Sequence, residues 1–68
     1  MQNNLKVWRA REDLTQEALA DEVDVTRQTI NSIERDRYDP SLELAFKLAA
    51  YFDCRIEDIF TYHPDEDT

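Results

Sequence analysis

The 68-residue sequence contains no glycine, two prolines, one cysteine and one histidine. One cysteine cannot form a disulfide within the chain, and one cysteine with one histidine cannot complete a structural zinc site. Without glycine the chain cannot build the usual phosphate-cradling loop, and its serine, histidine and aspartate residues are not spaced as a catalytic triad. We therefore expect neither an enzyme nor a protein that holds a metal or another cofactor.

Long hydrophobic runs are also missing. No segment approaches the ~20 apolar residues that cross a bilayer, and the opening MQNNLK lacks the pattern of a signal peptide. We expect a cytoplasmic protein with no membrane partner and no evident small-molecule ligand. A chain of this length buries only about 60% of the surface that its unfolded form exposes, so we expect one domain over residues 1–68, with oligomerisation as a further source of stability.

Lysine is scarce. The chain has only two lysines, Lys6 and Lys47, and six arginines. Sixteen acidic residues against eight basic ones give a net charge of −8, and part of the excess lies in an acidic tail, residues 64–68. An evenly acidic surface with little lysine suits a protein that must stay soluble in molar salt, so we predict a halophilic protein. The alternative is an ordinary acidic protein that binds no nucleic acid.

Apolar residues recur at helical spacing along the whole chain, and this pattern predicts an all-α fold of five helices. Threonine or serine before a polar first turn is a favourable N-cap, which sets where several of the helices begin. The predicted helices cover residues 4–12, residues 16–23 after the cap Thr15, residues 27–35 after the cap Thr26, a fourth helix capped by Asp39 or Ser41, and residues 56–60.

Side chains of the fourth helix supply much of the expected core. Cys54 is also expected to be a small buried apolar residue, and His63 to be solvated. The inner face of the fourth helix is expected to consist of Leu42, Ala45, Leu48, Ala49 and Phe52.

The second and third helices, with the tight turn between them, form a helix-turn-helix pattern, which presents its second helix to the major groove of DNA. At about 100° per residue from Arg27, Asn31 lies near 40° and Gln28 near 100°. Ile30 and Ile33 lie at about 300° and about 240°, on the other side of the helix. Arginine can pair with guanine, and glutamine or asparagine with adenine, through two hydrogen bonds, which favours base reading over a merely solvated polar face.

The segment over residues 14–60 resembles the Cro/C1-type helix-turn-helix regulators, the lambda-repressor-like family. The strongest matches are TQEALA at residues 15–20, TRQTI at residues 26–30, Glu34, and YDPSL at residues 38–42. With its ends included, the chain is most similar to the short repressors of the cytolysin-repressor type. The resemblance implies a five-helix DNA-binding domain, a short antiparallel β ribbon formed by the two termini, and a dimer.

The resemblance also implies roles for single residues, carried over by position within a helix-turn-helix of about residues 15–36. Residues on the third helix face the bases, residues around it bind phosphates, and an ion pair joins the first helix to the third. The implied base-reading residues are Thr26, Arg27, Gln28 and Asn31; the phosphate-binding residues are Thr15, Gln16, Ser32, Arg35, Arg37 and Tyr38; and the structural ion pair is Arg9 with Glu34.

Four turn positions depart from the family pattern. Where the family commonly has glycine or another residue that tolerates a left-handed backbone, this chain has aspartate. Aspartate tolerates that conformation better than most non-glycine residues, although less well than glycine, so we expect the same turns at some strain. The four positions are Asp13, Asp24, Asp36 and Asp53.

A dimer would place two reading helices ~34 Å apart, the length of one DNA turn, and so match a pseudo-palindromic operator. Apolar residues near the end of the chain are the candidate contacts, and the core is the alternative for each. For Tyr62 we favour the interface, and for Ile56 and Ile59 the core. The candidates are Ile59, Phe60 and Tyr62, with Ile56 and Phe46 or Tyr51 as further options.

The sequence thus predicts a double-stranded DNA-binding transcriptional regulator, a dimeric repressor whose third helix enters the major groove. Two alternatives stay open. One is an antitoxin-type protein that uses the same domain for autoregulation and holds a partner with its tail, which here is short. The other is a protein-interaction module that has lost DNA binding.

Overall fold

The computed structural model describes residues 1–63; the predicted acidic tail, residues 64–68, lies outside them. Within the described residues the predicted all-α fold of five helices is confirmed, and so is the ribbon. The two strands pair antiparallel, with Gln2 opposite Thr61 and Asn3 opposite Phe60. In chain order the elements are β1 (Gln2–Asn3), α1 (Leu5–Arg11), α2 (Gln16–Glu22), α3 (Arg27–Glu34), α4 (Leu42–Tyr51), α5 (Ile56–Ile59) and β2 (Phe60–Thr61).

Three helices begin at side-chain caps. The hydroxyl oxygens of Thr15, Thr26 and Ser41 each accept a hydrogen bond from the backbone N–H three residues later, at 3.0 to 3.2 Å. Each bond satisfies one of the N–H groups that a first helical turn leaves without a partner. Ser41 rather than Asp39 therefore caps α4, and Pro40 precedes the cap.

Four helices end in the same way, and each uses an aspartate. Asp13, Asp24, Asp36 and Asp53 have φ angles of 57°, 60°, 60° and 55°, so the prediction of left-handed turns at these positions is confirmed. In each case the next residue donates its N–H to a carbonyl five residues back, at 2.9 or 3.0 Å. The aspartate N–H bonds a carbonyl three residues back. These two bonds define the Schellman motif, which usually has glycine at the left-handed position.

The core lies where α2, α3 and α4 meet, closed by Leu5 of α1 and by the end of α5. Most of the predicted inner face of α4 is buried, but Leu42 is 70% exposed and Leu44 takes its place in the core. Leu42 is the first residue of α4, and it borders an open groove instead of a neighbouring helix. The side chains that are almost completely buried are Leu5, Leu19, Ile30, Ile33, Leu48 and Ile59.

Ile59 and Phe60 were both candidates for a dimer contact, with the core as the alternative that the sequence favoured for Ile59. Both side chains are buried in the core of a single chain. Ile59 packs inward from α5, and Phe60 begins the strand that pairs with β1, so neither presents its side chain to a second molecule. Tyr62, by contrast, is exposed.

Asn3 connects the ribbon to two helices. Its side-chain oxygen accepts a hydrogen bond from the N–H of Leu5 at 3.0 Å, at the start of α1. Its side-chain nitrogen donates to the carbonyl of Ile33 at 2.8 Å and to Oδ1 of Asp36 at 3.0 Å, at the end of α3. One amide therefore fixes the position of the C-terminal end of α3 relative to the ribbon. No helix within residues 1–63 is long and apolar enough to cross a membrane.

The left-handed turn at Asp24 predicts opposite effects for two substitutions. Asp24→Gly should keep the wild-type stability or raise it, because glycine adopts this conformation without strain and removes a negative charge from the C-terminal end of α2. Asp24→Val should cost about 1–2 kcal/mol, because a β-branched residue is strained at positive φ. Urea unfolding followed by circular dichroism measures both values; a valine variant as stable as the glycine variant would contradict the turn.

Candidate nucleic-acid interface

The α2 and α3 helices pack against each other, and the buried side of α3 holds them together. Ile30 and Ile33 are buried on that side, and Leu19 and Ala20 meet them from α2. A single connecting turn, stabilised by the Schellman bonds around Asp24, separates the two helices. The packing leaves the opposite side of α3 facing away from the core.

The outward side of α3 carries the side chains that the sequence predicts to read bases. Thr26, Arg27 and Gln28 are exposed, and Asn31 and Ser32 are half-buried. Thr26 also caps the helix, and its hydroxyl lies 3.1 Å from that of Thr29. A shallow depression of about 330 Å³ along this side is lined by Thr26, Gln28, Thr29, Ser32, Arg37 and Tyr38.

The depression brings together residues that were predicted to have two different roles. Gln28 of α3 was predicted to read bases, and Arg37 and Tyr38, from the loop that follows α3, were predicted to bind phosphates. Thr29 also lines it, although the sequence analysis did not select this residue. The sequence did contain a signal for Thr29. It is a polar residue three positions after the cap Thr26, so it lies on the same side of the helix as the cap.

The charge around α3 differs from that of the whole chain. Arg27, Arg35 and Arg37 are exposed, and none of them forms an ion pair within residues 1–63. Two acids adjoin these arginines in sequence: Glu34 is paired with Arg9, and Asp36 accepts a hydrogen bond from Asn3. The overall charge of −8 therefore coexists with a local surface that offers three unpaired guanidinium groups. Guanidinium groups suit both phosphate and guanine recognition.

An ion pair with two hydrogen bonds joins α1 to α3. Arg9 Nε lies 2.8 Å from Glu34 Oε2, and Arg9 Nη2 lies 3.2 Å from Glu34 Oε1. The third guanidinium nitrogen, Nη1, donates to the carbonyl of Leu14 at 2.8 Å. The side chains are only 16% and 6% exposed, which makes the pair hard to break without leaving a buried charge. These are the two residues that the family resemblance implied as a structural ion pair.

The side chain of Gln16 is engaged inside the protein. Its Nε2 lies 3.2 Å from Oδ1 of Asn31 and 3.1 Å from Oε1 of Glu34. A side-chain amide nitrogen has two N–H donors, so both are used. This arrangement differs from the sequence expectation of a phosphate contact, because such a contact would need one of the same two donors. The sequence analysis missed the link between Gln16 and Asn31, which depends on how α2 packs on α3.

The described residues show little that suggests other chemistry. Within residues 1–63, no cluster of three or more histidine, cysteine, aspartate or glutamate side chains is placed to hold a metal ion. Burial raises the pKa of the Cys54 thiol, and the nearby carboxylates of Asp58 and Asp53 add to the effect. The thiol is therefore kept protonated and is a poor nucleophile at neutral pH.

The comparison with known proteins identifies the family. The helix-turn-helix family model matches residues 5–59, from the start of α1 to the end of α5. The chain therefore belongs to the Cro/C1-type helix-turn-helix family of DNA-binding transcriptional regulators. Members of this family are not enzymes. The prediction that this protein is a DNA-binding regulator is confirmed at the level of the family.

Two archaeal relatives match nearly the whole chain. An uncharacterized HTH-type transcriptional regulator of Methanocaldococcus jannaschii is 58% identical over 66 residues, which cover 97% of this chain and 100% of that protein. An uncharacterized HTH-type transcriptional regulator of Archaeoglobus fulgidus is 46% identical over 66 residues, 97% of this chain and 93% of that protein. The likeness therefore includes the terminal segments that form the ribbon.

Solved structures show the same fold. The restriction-modification controller protein C.AhdI of Aeromonas hydrophila is similar with a TM-score of 0.75 and 30% identity, covering 82% of this chain and 85% of that one. The SOS-response transcriptional repressor LexA of Eubacterium rectale is similar with a TM-score of 0.76 and 29% identity. That match covers 81% of this chain and 58% of the LexA chain.

The buried ion pair should matter far more for stability than an exposed one. Glu34→Ala leaves the Arg9 guanidinium buried without its partner and should cost about 3–5 kcal/mol. Glu43→Ala removes a carboxylate that is 80% exposed and lies 3.4 Å from Lys47, and it should cost less than about 0.5 kcal/mol. Thermal unfolding of both variants compares the two; equal losses would show that the buried pair is not an anchor of the fold.

Proposed function

We propose that this protein is a sequence-specific repressor of transcription that binds double-stranded DNA as a homodimer, with α3 in the major groove. The observation that carries the proposal is the two-sided character of α3. Ile30 and Ile33 hold one side in the core, while Arg27 and Gln28 are exposed on the other. These are side chains that can bond base edges through two hydrogen bonds. The LexA neighbour is itself named a transcriptional repressor.

Phosphate contacts in this proposal flank α3. Arg35 and Arg37 follow the helix, and Tyr38 lines the depression beside it, so all three can reach the DNA backbone on one side of the groove. Ser32 supplies a hydroxyl group on α3, and Thr15 supplies one at the start of α2. Such contacts set the orientation of the domain and carry no sequence information. Asn31, together with Thr26, completes the proposed base-reading set.

Dimerisation is supported by exposed apolar side chains at one end of α4. Leu42 is 70% exposed and Phe46, one helical turn later, is 58% exposed. A largely apolar groove of about 240 Å³ begins at Leu42 and continues along Ile56 and Phe60. The proposed contacts with a second copy are Leu42, Phe46, Ile56 and Tyr62, of which Tyr62 is 64% exposed. A two-fold dimer matches a pseudo-palindromic operator.

High-salt adaptation is supported by where the charges lie. Every aspartate and glutamate within residues 1–63 is exposed except Glu34, which is paired with Arg9. The described surface therefore carries many hydrated carboxylates and few lysines. We propose that residues 1–68 act as one DNA-binding domain in a cytoplasm of high ionic strength.

The base-reading role predicts losses of affinity at two residues. Arg27→Ala and Gln28→Ala should each weaken operator binding by about 1–3 kcal/mol and relax specificity at one base pair. Arg11→Ala is the matched control, because it removes the same charge from a side chain that lies over the Trp8 ring, 4.9 Å from its centroid, beside α4 and α5. Fluorescence anisotropy on an operator selected from random DNA measures all three. Equal affinities for the Arg27 and Arg11 variants would contradict the base-reading role.

The proposed dimer contact predicts a change of mass. Wild-type protein should be a dimer at micromolar concentration, and Phe46→Glu should be a monomer, because a buried unpaired carboxylate opposes the contact. Val7→Glu is the control, since Val7 is an exposed apolar residue of α1 away from the groove. Light scattering gives the masses; a monomeric wild type, or a dimeric Phe46 variant, would overturn this interface.

The charge balance predicts an unusual salt dependence. Phosphate contacts normally lower affinity by about 0.9 log units per contact for each log unit of salt. Cations taken up between the acidic surface and DNA oppose that loss, so the slope between low and molar KCl should be shallow or reversed. Anisotropy titrations in KCl measure it, and the steep loss seen for a basic repressor would count against high-salt adaptation.

A further inference from the structure

The loop after α3 places charges of opposite sign on different surfaces. Arg37 and Tyr38 line the depression along the outward side of α3. Asp36 and Asp39 instead line an open cavity of about 270 Å³, which they share with residues of the two ribbon strands. The guanidinium group of Arg37 and the carboxylate of Asp36 are neighbours in sequence, but they therefore belong to different surfaces.

Asn3 holds the Asp36 carboxylate on the ribbon side. Its Nδ2 group donates to Oδ1 of Asp36 at 3.0 Å and to the carbonyl of Ile33 at 2.8 Å, so both of its N–H groups are used. Its Oδ1 atom accepts a hydrogen bond from the N–H of Leu5 at 3.0 Å. A backbone N–H can only donate and a backbone carbonyl can only accept, so these two backbone partners fix which way the amide faces. The carboxylate is thus bonded to a group whose own position is set by β1, α1 and α3.

The position of this carboxylate matters because Arg35 and Arg37 flank it in sequence. Both guanidinium groups are exposed, and neither forms an ion pair within residues 1–63. A carboxylate that turned toward them would compete with DNA phosphates for one guanidinium group, or it would face the phosphates as a like charge. Either effect equals about one close pair of unit charges in water, which changes an equilibrium constant roughly fivefold.

We infer that Asn3 is a positioning residue for phosphate binding, which holds the Asp36 carboxylate on the ribbon and so leaves the guanidinium groups of Arg35 and Arg37 available to DNA. The inference rests on the proposed function, because it concerns the phosphate contacts of the DNA-binding surface. It assigns Asn3 a role that acts through another side chain and needs no contact with DNA.

A double-mutant cycle on DNA affinity tests the inference. Asn3→Ala releases the carboxylate and should weaken DNA binding about fivefold. Because phosphate contacts carry no sequence information, the loss should be the same on a selected operator and on an unrelated duplex. Asp36→Asn removes the charge, but its amide oxygen can still accept from Asn3, and asparagine tolerates the left-handed turn. In the Asp36→Asn background, Asn3→Ala should therefore weaken binding by less than about twofold.

Asp36→Asn by itself gives a second test, which does not require the alanine variant to fold. Asp53→Asn is the matched control, because it removes the same charge from the corresponding left-handed turn after α4. Since Asn3 already holds the Asp36 carboxylate away from DNA, the two asparagine variants should bind DNA within about twofold of each other. Fluorescence anisotropy measures the affinities, and circular dichroism verifies the fold of each variant.

The opposite results would overturn the inference. A roughly fivefold gain of Asp36→Asn over Asp53→Asn would show that the carboxylate already acts on DNA in the wild-type protein. Equal losses from Asn3→Ala in both backgrounds, or a loss confined to the operator, would show that Asn3 acts only through the fold; the proposed function would then stand without the inference. If wild-type protein binds neither duplex, the proposed function fails, and the inference fails with it.

Discussion

The ion pair between Arg9 and Glu34 is the interaction on which the arrangement of the first three helices depends. It is mostly buried, it joins α1 to the end of α3, and Glu34 also accepts a hydrogen bond from Gln16 at the start of α2. The α1, α2 and α3 helices therefore meet at one carboxylate. A buried ion pair adds little net stability over apolar packing, but its removal on one side is costly, so its main effect is to define a single arrangement of the three helices.

A second constraint is the absence of glycine. Four helices end in a Schellman motif, and each motif needs one residue with a left-handed backbone just after the helix. Aspartate occupies all four positions, at φ angles between 55° and 60°. Each aspartate also places a negative charge near the C-terminal end of a helix, where the helix dipole is unfavourable to it. The chain thus combines a conventional backbone with an acidic surface and accepts strain at its turns. At Asp36 the carboxylate also accepts a hydrogen bond from Asn3, which links the turn to the ribbon.

The outward side of α3 and the residues that follow the helix show how an acidic protein can still present a surface suited to DNA. The three arginines there, Arg27, Arg35 and Arg37, are free of ion pairs within residues 1–63, while the one acid of α3, Glu34, is directed inward to Arg9. Net charge describes long-range attraction and solubility, whereas recognition depends on the few groups within hydrogen-bonding distance. A protein with a negative net charge can therefore still carry a local surface of positive charge.

Local patterns in the sequence were enough to predict the helices and the caps at Thr15 and Thr26, because each depends on residues within one or two helical turns. The ribbon and the left-handed turns at the four aspartates came from the resemblance to a family. Only the tertiary structure decided that Leu42 is exposed, that Phe60 belongs to the core, and that Gln16 bonds Asn31. These outcomes depend on which elements cover a side chain, and helical spacing alone does not contain that information. The hydrogen bonds of Asn3 also could not be predicted from local patterns, because its partners at the end of α3 lie 30 and 33 residues away in sequence.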